Sequence, residues 1–201
     1  MKLRKSTKFG LVLIAMFTAF SFWYLGTYSM GVITPYEVNE PSSEKHLLIV
    51  TQQSAYKDSL TAGIVRAFRD KPVYINVIDL TTAATYQAER EVDACILLHT
   101  WEIGRPPGMV HAFRDSLGGK VPLLAITTSG SGSAILDDEV DGISSASELF
   151  NTELDIKRAV IWLNYALGFA PLDYSDEPEL PGKTHLGSTL AEERIGASEG
   201  N

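Results

Sequence analysis

The chain has 201 residues, room for one domain with a sizeable core, and its ordinary composition excludes wholesale disorder. Its formal charge is -8; Lys2, Arg4, Lys5 and Lys8 precede the first acid, Glu37, and -8 less these four positive charges leaves -12 for the remainder. So acidic a body excludes nucleic acid, which needs a basic surface; acidity alone names no other partner.

The N-terminal segment, residues 1–33, carries the basic cluster and then an uncharged span from Phe9 to Tyr36 that includes "FGLVLIAMFTAFSFWYLG". About 20 such residues cross a bilayer's hydrocarbon core. Trp23 and Tyr24 suit the far interface, and the basic flank places Met1 to Lys8 in the cytoplasm with the body outside it. A cleaved signal peptide is the competing reading. Its apolar region is normally shorter, and Thr27-Tyr28-Ser29 is the one small-residue site, so an uncleaved single-pass anchor is preferred.

Residues 34–46, "TPYEVNEPSSEKH", read as a polar linker. "LLIV" (Leu47 to Val50) is a short buried strand. Ser59 is placed to cap a helix running to about Arg69, with Leu60, Ile64 and Phe68 on one face, and Pro72 breaks it. "VYINVIDL" (Val73 to Leu80) and "ACILLHT" (Ala94 to Thr100) are the next strands. Cys95, the only cysteine, lies in the second of these and reads as a packed small hydrophobe; no disulfide can form within the chain. A helix follows from about Pro107 to Leu117, with Val110, Phe113 and Leu117 inward.

"VPLLAITTSGSGSA" (Val121 to Ala134) is a fourth strand emptying into a bare loop, and "DGISSASELF" reads as a stunted fifth strand. Thr152 with Asp155 three residues on resembles a capping box, after which Ile156, Ala159, Val160, Leu163 and Leu167 keep helical spacing up to Gly168. From residue 171 to 201 the chain is polar and acidic, a disordered tail. Strand, helix, strand, crossover, strand, helix, strand, helix is the order of a doubly wound α/β sheet, here over residues 47–170. Ligands of such sheets sit outside the carboxyl ends of the strands. Three loops leave those ends: Thr51 to Asp58, His99 to Pro107, and Thr127 to Ser133. The last has the wrong phase for a Gly-x-Ser-x-Gly serine elbow and lacks the Gly-Lys-Ser/Thr of a Walker loop. His46, His99, His111 and His185 are not at metal-ligand spacing, so no metal is expected.

These segments resemble the NAD(P)H-dependent FMN reductases and quinone reductases of the flavodoxin-like fold, over roughly Leu47 to Leu167. "VIDL" resembles the family's second strand. "VDACILLHTWEIGRPPGMVHAFRDSL" resembles its third strand, flavin-ring loop and helix, with Gly104, Pro107 and Gly108 in the Gly-x-x-Pro-Gly pattern. "GKVPLLAITTSGSG" resembles its fourth strand and Ser/Gly loop, and "DSLTAGI" the helix start after the phosphate loop. The resemblance implies FMN as cofactor, with its phosphate near Gln53, Lys57, Ser59 and Thr61. The ring would lie against Thr100, Trp101, Glu102, Ile103 and Gly104, and the opposite wall would be Thr127, Thr128, Ser129, Gly130 and Gly132. No catalytic side chain is implied, since hydride transfer is the flavin's own chemistry. It also implies a small-molecule electron donor, a quinone- or flavin-type acceptor and a homodimer.

The chain departs from that pattern in three places. Its first loop reads "TQQSAYK", with Gln53 where the quinone reductases carry His. Trp101-Glu102-Ile103 replaces the usual Glu-Tyr-Asn. Between Ser133 and Asn151 the chain is too short for both a fourth helix and a full fifth strand. NAD(P)H is cytoplasmic, so a body outside the cytoplasm needs another donor. The reading is thus a membrane-anchored FMN-binding oxidoreductase domain. The alternative is a flavodoxin-like domain that has lost its cofactor and serves as a membrane-bound interaction module.

Overall fold

The computed structural model describes residues 5–28, 30–83, 85–86, 91–102, 104–117, 119–136, 140–169 and 184–185. The chain divides into two units, Met1–Gly31 and Val32–Asn201. In the first, α1 (Lys5–Tyr28) is a 24-residue helix, apolar on all faces. Its stretch Thr7–Tyr24 is long and apolar enough to cross a membrane, a test that a signal sequence also passes. The Thr18 and Ser21 hydroxyls donate back to the Ile14 and Phe17 carbonyls, each at 2.8 Å, so both are satisfied within the helix.

In the second unit the long strands are built from continuous apolar runs. β2 (Lys45–Thr51), β3 (Val73–Asp79), β4 (Ala94–Thr100) and β5 (Leu123–Thr128) are joined in parallel. Successive side chains point to opposite faces. Leu47, Ile49, Ile96 and Leu98 therefore enter one core, under α2 (Ala55–Phe68) and α5 (Thr152–Ala166). Leu48, Val50, Cys95 and Leu97 enter the other, with Val110 and Phe113 of α4 (Gly108–Ser116) and Leu80 and Ala83 of α3 (Leu80–Ala83). Both faces are covered, so no polar alternation survives in the sequence.

β1 (Tyr36–Val38) pairs antiparallel with β3, β6 (Asp141–Ser145) pairs parallel with β5, and β7 (Thr184–His185) pairs antiparallel with β6. The order across the sheet is β1-β3-β2-β4-β5-β6-β7. Its five parallel strands stand second-first-third-fourth-fifth, the flavodoxin-like arrangement, in which the order of strand addition reverses between β2 and β4.

Several sequence expectations need correction. The segment read as a linker, 34–46, supplies β1 and the first two residues of β2. Asn39, at φ 68, fixes its path by donating from Nδ2 to the Val73 carbonyl at 2.7 Å. α2 starts four residues before Ser59. Ser54 is extended and its Oγ accepts the Lys57 N–H, which makes it the cap, while Ser59 lies exposed within the helix. The fifth strand is a complete five-residue strand rather than a stunted one. What is missing among the described residues is a helix between β5 and β6. Thr152 and Asp155 form no capping box: the Thr152 hydroxyl donates to the Leu149 carbonyl, and Asp155 turns inward to accept the Tyr56 hydroxyl at 2.6 Å. At positions 184 and 185 the expected disordered tail is paired with β6; the rest of it lies outside the described residues.

Gly63 of α2 faces Ile156 of α5. A Cβ there would meet Ile156 Cγ1 at 2.7 Å. Gly63→Ala gains about 1 kcal/mol of helix propensity but overpacks the contact, at about 1–3 kcal/mol. We expect a lower urea midpoint for Gly63→Ala and recovery when Ile156→Ala is added. A Gly63→Ala midpoint at or above the parent's would show that Ile156 yields freely.

Candidate functional site at the carboxyl rim

The carboxyl ends of β2 and β4 flank the reversal point, where an open α/β sheet leaves its crevice. Lys57, in the first turn of α2, sends its side chain into this place. It is 1% exposed, and Nζ donates to Thr100 Oγ1 at 2.5 Å and to Gln52 Oε1 at 3.4 Å. Gln52 Oε1 also accepts the Thr100 N–H at 3.3 Å. Thr100 and Thr128 hydroxyls meet at 2.8 Å, which carries the network from β4 to β5. Burial pushes the Lys57 ammonium down to about 8, with Glu102 and Asp58 acting in the opposite sense. At neutral pH it remains a cation beneath the rim.

One residue before Thr100, His99 is fully buried, with Nε2 at 3.0 Å from the Thr127 hydroxyl and Nδ1 without a partner. Burial, and then the Lys57 charge, push its pKa down to about 3, so the ring is neutral and Thr127 is its hydrogen-bond partner.

The loops above this floor are held by backbone bonds. Trp101 N–H donates to the Thr128 carbonyl at 2.8 Å. Glu102 and Arg105 exchange backbone bonds at 2.9 and 3.2 Å around Gly104, whose φ of 74 suits glycine. Ser129 N–H donates to the Ser145 carbonyl at 3.1 Å, tying the loop after β5 to the end of β6. Gly132, at φ 63, brings its backbone against Ala146, where a Cβ would stand 3.1 Å from the Ala146 nitrogen.

The sequence-derived site residues thus divide. Lys57, Thr100 and Thr128 come together in one network, and Thr127 joins it through His99. Trp101 is half-buried at the rim, and its indole Nε1 is buried without a partner. Glu102, Gly104 and Gly130 are exposed, while Ser129 and Gly132 are half-buried. Gln53 is exposed in the loop before α2. Thr61 is buried on α2 and its hydroxyl has no partner. Ser59 is exposed, a turn beyond the helix start. Ile103 lies outside the described residues. Three residues escaped sequence reasoning: Gln52, Ser54 and His99. Ser54 had a readable signal, a serine between an apolar strand and a helical run.

The arrangement presents one buried cation, several hydroxyls and the start of a 14-residue helix, whose first N–H groups have no intrahelical acceptor. Ser54 takes that of Lys57; those of Ala55 and Tyr56 have no acceptor within the helix. Such a set of donors suits an anion or the polar edge of a ring as acceptor. Among the described residues no three His, Cys, Asp or Glu side chains group as metal ligands.

No protein-family model matches the chain, and no curated protein does. Among solved structures it is similar to oxidised flavodoxin 1 from Bacillus cereus, at 15% identity over 61% of this chain and 99% of that one, with a TM-score of 0.39. It is also similar to an oxidoreductase from Corynebacterium diphtheriae, at 13% identity over 65% of this chain and 100% of that one, with a TM-score of 0.39. These likenesses are distant; the strand order, read from the sheet itself, is what defines the fold.

Proposed function

We propose that the chain is a membrane-anchored flavodoxin-like domain that holds FMN at its carboxyl rim and exchanges electrons between small molecules. The observation that carries this reading is the buried Lys57 ammonium at the reversal point between β2 and β4, tied to Thr100 at 2.5 Å. Flavodoxin-like sheets take FMN at that crevice. The residues present fit the group. The start of α2 offers backbone donors for a phosphate, and the unpartnered Trp101 Nε1, with the backbone of Thr100 to Glu102, would border the ring. The flavin supplies the electron-accepting chemistry when bound. The chain's own tasks are to hold the phosphate at α2, to place the ring between the Trp101 loop and the 129–132 loop, and to exclude water from the floor at Thr100 and Thr128. α1 anchors the domain, with Met1 to Lys8 in the cytoplasm. A nicotinamide or other soluble donor and a quinone- or flavin-type acceptor are the partners this chemistry suits.

The test is direct. The full chain, purified in detergent and titrated with FMN, is expected to quench flavin fluorescence to a 1:1 endpoint and to retain the flavin's visible absorbance after gel filtration. The altered first loop, with Gln53 exposed where the quinone reductases carry His, favours the second reading, a cofactor-less interaction module. A colourless chain that leaves FMN fluorescence unchanged would establish that reading instead.

A further inference from the structure

Gln52 is the first residue beyond β2, just ahead of the Ser54 cap, and it is 8% exposed. Its side-chain amide has an acceptor corner, Oε1, and a corner with two N–H donors, Nε2. Two donors converge on the oxygen: Lys57 Nζ at 3.4 Å and the Thr100 N–H at 3.3 Å. An ammonium and a backbone N–H have no lone pair to offer, so together they fix which corner is oxygen. Turning the amide over would set its N–H groups against both. Nε2 therefore faces away from them, and among the described residues it donates to nothing.

Buried polar groups are nearly always paired, so a side chain this buried with a spare donor end points to a missing acceptor. The spare donors stand beside the start of α2, because the oxygen of the same amide is bonded to Lys57 of its first turn. There the N–H groups of Ala55 and Tyr56 also lack an acceptor within the helix. Every group in this set is a donor, and Lys57 adds a positive charge behind the amide. A phosphomonoester answers such a set with three acceptor oxygens and close to two negative charges. The carboxylates that act on Lys57, Glu102 and Asp58, are both exposed, so water screens their repulsion.

Resting on the FMN reading above, we propose that Gln52 selects the phosphorylated form of the ligand, its locked Nε2 donating to a phosphate oxygen seated on the first turn of α2. Because Lys57 and Thr100 hold Oε1 in place, the amide does not rotate to offer its oxygen instead. A ligand that ends in a hydroxyl gains little at this point, and one that ends in a phosphate gains a charge-assisted bond. Gln52 thereby sets the preference for FMN over riboflavin.

The experiment titrates FMN and riboflavin, by quenching of their fluorescence, into the full chain in detergent as parent, Gln52→Glu and Gln52→Met. Gln52→Glu keeps an acceptor for Lys57 and Thr100 and replaces the donor corner with an oxygen. Gln52→Met removes the donors without adding charge. FMN is expected to bind about tenfold to a hundredfold more weakly to Gln52→Met, and more weakly still to Gln52→Glu. Riboflavin should change less than about threefold, because the altered bond is to the phosphate it lacks. Inorganic phosphate should displace FMN from the parent and leave riboflavin bound. Equal losses for both flavins, which a merely structural role would give, would overturn selection by Gln52 and leave flavin binding standing. So would a loss in Gln52→Glu with none in Gln52→Met, since added charge would then explain it. A parent that binds neither flavin would overturn the FMN reading, and this inference with it.

Discussion

On acidification from pH 6.5 toward 3, the protein is expected to lose about 5 kcal/mol of stability through His99 alone. The imidazole is fully buried, and burial and Lys57 depress its pKa from 6.5 to about 3. Between those values the unfolded chain takes up a proton that the folded chain refuses. The contribution is therefore fully present above pH 6.5 and is lost as pH falls toward 3. Three and a half pKa units correspond to about 5 kcal/mol, a large share of the roughly 5–15 kcal/mol that holds a domain together. Asp155 works the other way: burial raises its pKa, so the folded state binds its proton first and gains over the upper part of the carboxylate range. His99→Gln keeps a partner for Thr127 and removes the titration. Urea midpoints of parent and variant should run nearly parallel above pH 6.5 and converge or cross on acidification, as only the parent carries the extra slope. Identical slopes from pH 6.5 to 4 would show that His99 takes up its proton in the fold.

The sequence exposed those parts of the fold whose physics is local. β4 was legible over its full length because seven residues buried on both faces leave a run with no polar alternation. β6 read only as a stunted strand, because its buried side chains are Asp, Gly and Ser beside one Ile. Only β5, whose Leu124 to Thr128 pair with its five residues, makes that segment a strand. Ser59 and Ser54 are both serines ahead of apolar helical spacing. The choice between them depended on where β2 ends and how soon α2 must turn back over the sheet. Asp155 matched a local capping pattern, but its partner, Tyr56, is 99 residues away. In the candidate site the loops and Lys57 were readable, the burial of Lys57 less so. Its position does fall on the apolar face, three and seven residues before Leu60 and Ile64. A lysine at that phase is ordinarily read as an exposed cation.

Lys57→Met is expected to trade affinity for stability. Burial depresses the folded pKa from 10.5 to about 8, so the parent's stability gains as pH rises from 8 to 10.5 and is lacking below 8. The shift corresponds to about 3 kcal/mol of cost for holding the charge at pH 7. Met relieves that cost while leaving Thr100 its bond to Thr128 and Gln52 its bond from the Thr100 N–H. Loss of the two Lys57 bonds returns roughly 1–2 kcal/mol, so the net gain at pH 7 is about 1–2 kcal/mol. This advantage should vanish between pH 8 and 10.5. Above pH 9 the unfolded Cys95 thiol ionises while the buried one resists, and Tyr56 adds the same loss above pH 10, equally in both proteins. The difference between parent and variant thus isolates Lys57; a difference constant from pH 8 to 10.5 would mean that the ammonium is not desolvated. The same substitution removes the buried cation next to the start of α2. FMN should then bind tenfold to a hundredfold more weakly, as a charge-assisted bond of about 1.5–3 kcal/mol requires. Riboflavin, which has the ring without the phosphate, should change less than threefold. Equal losses for both ligands would move Lys57 from the phosphate to the ring.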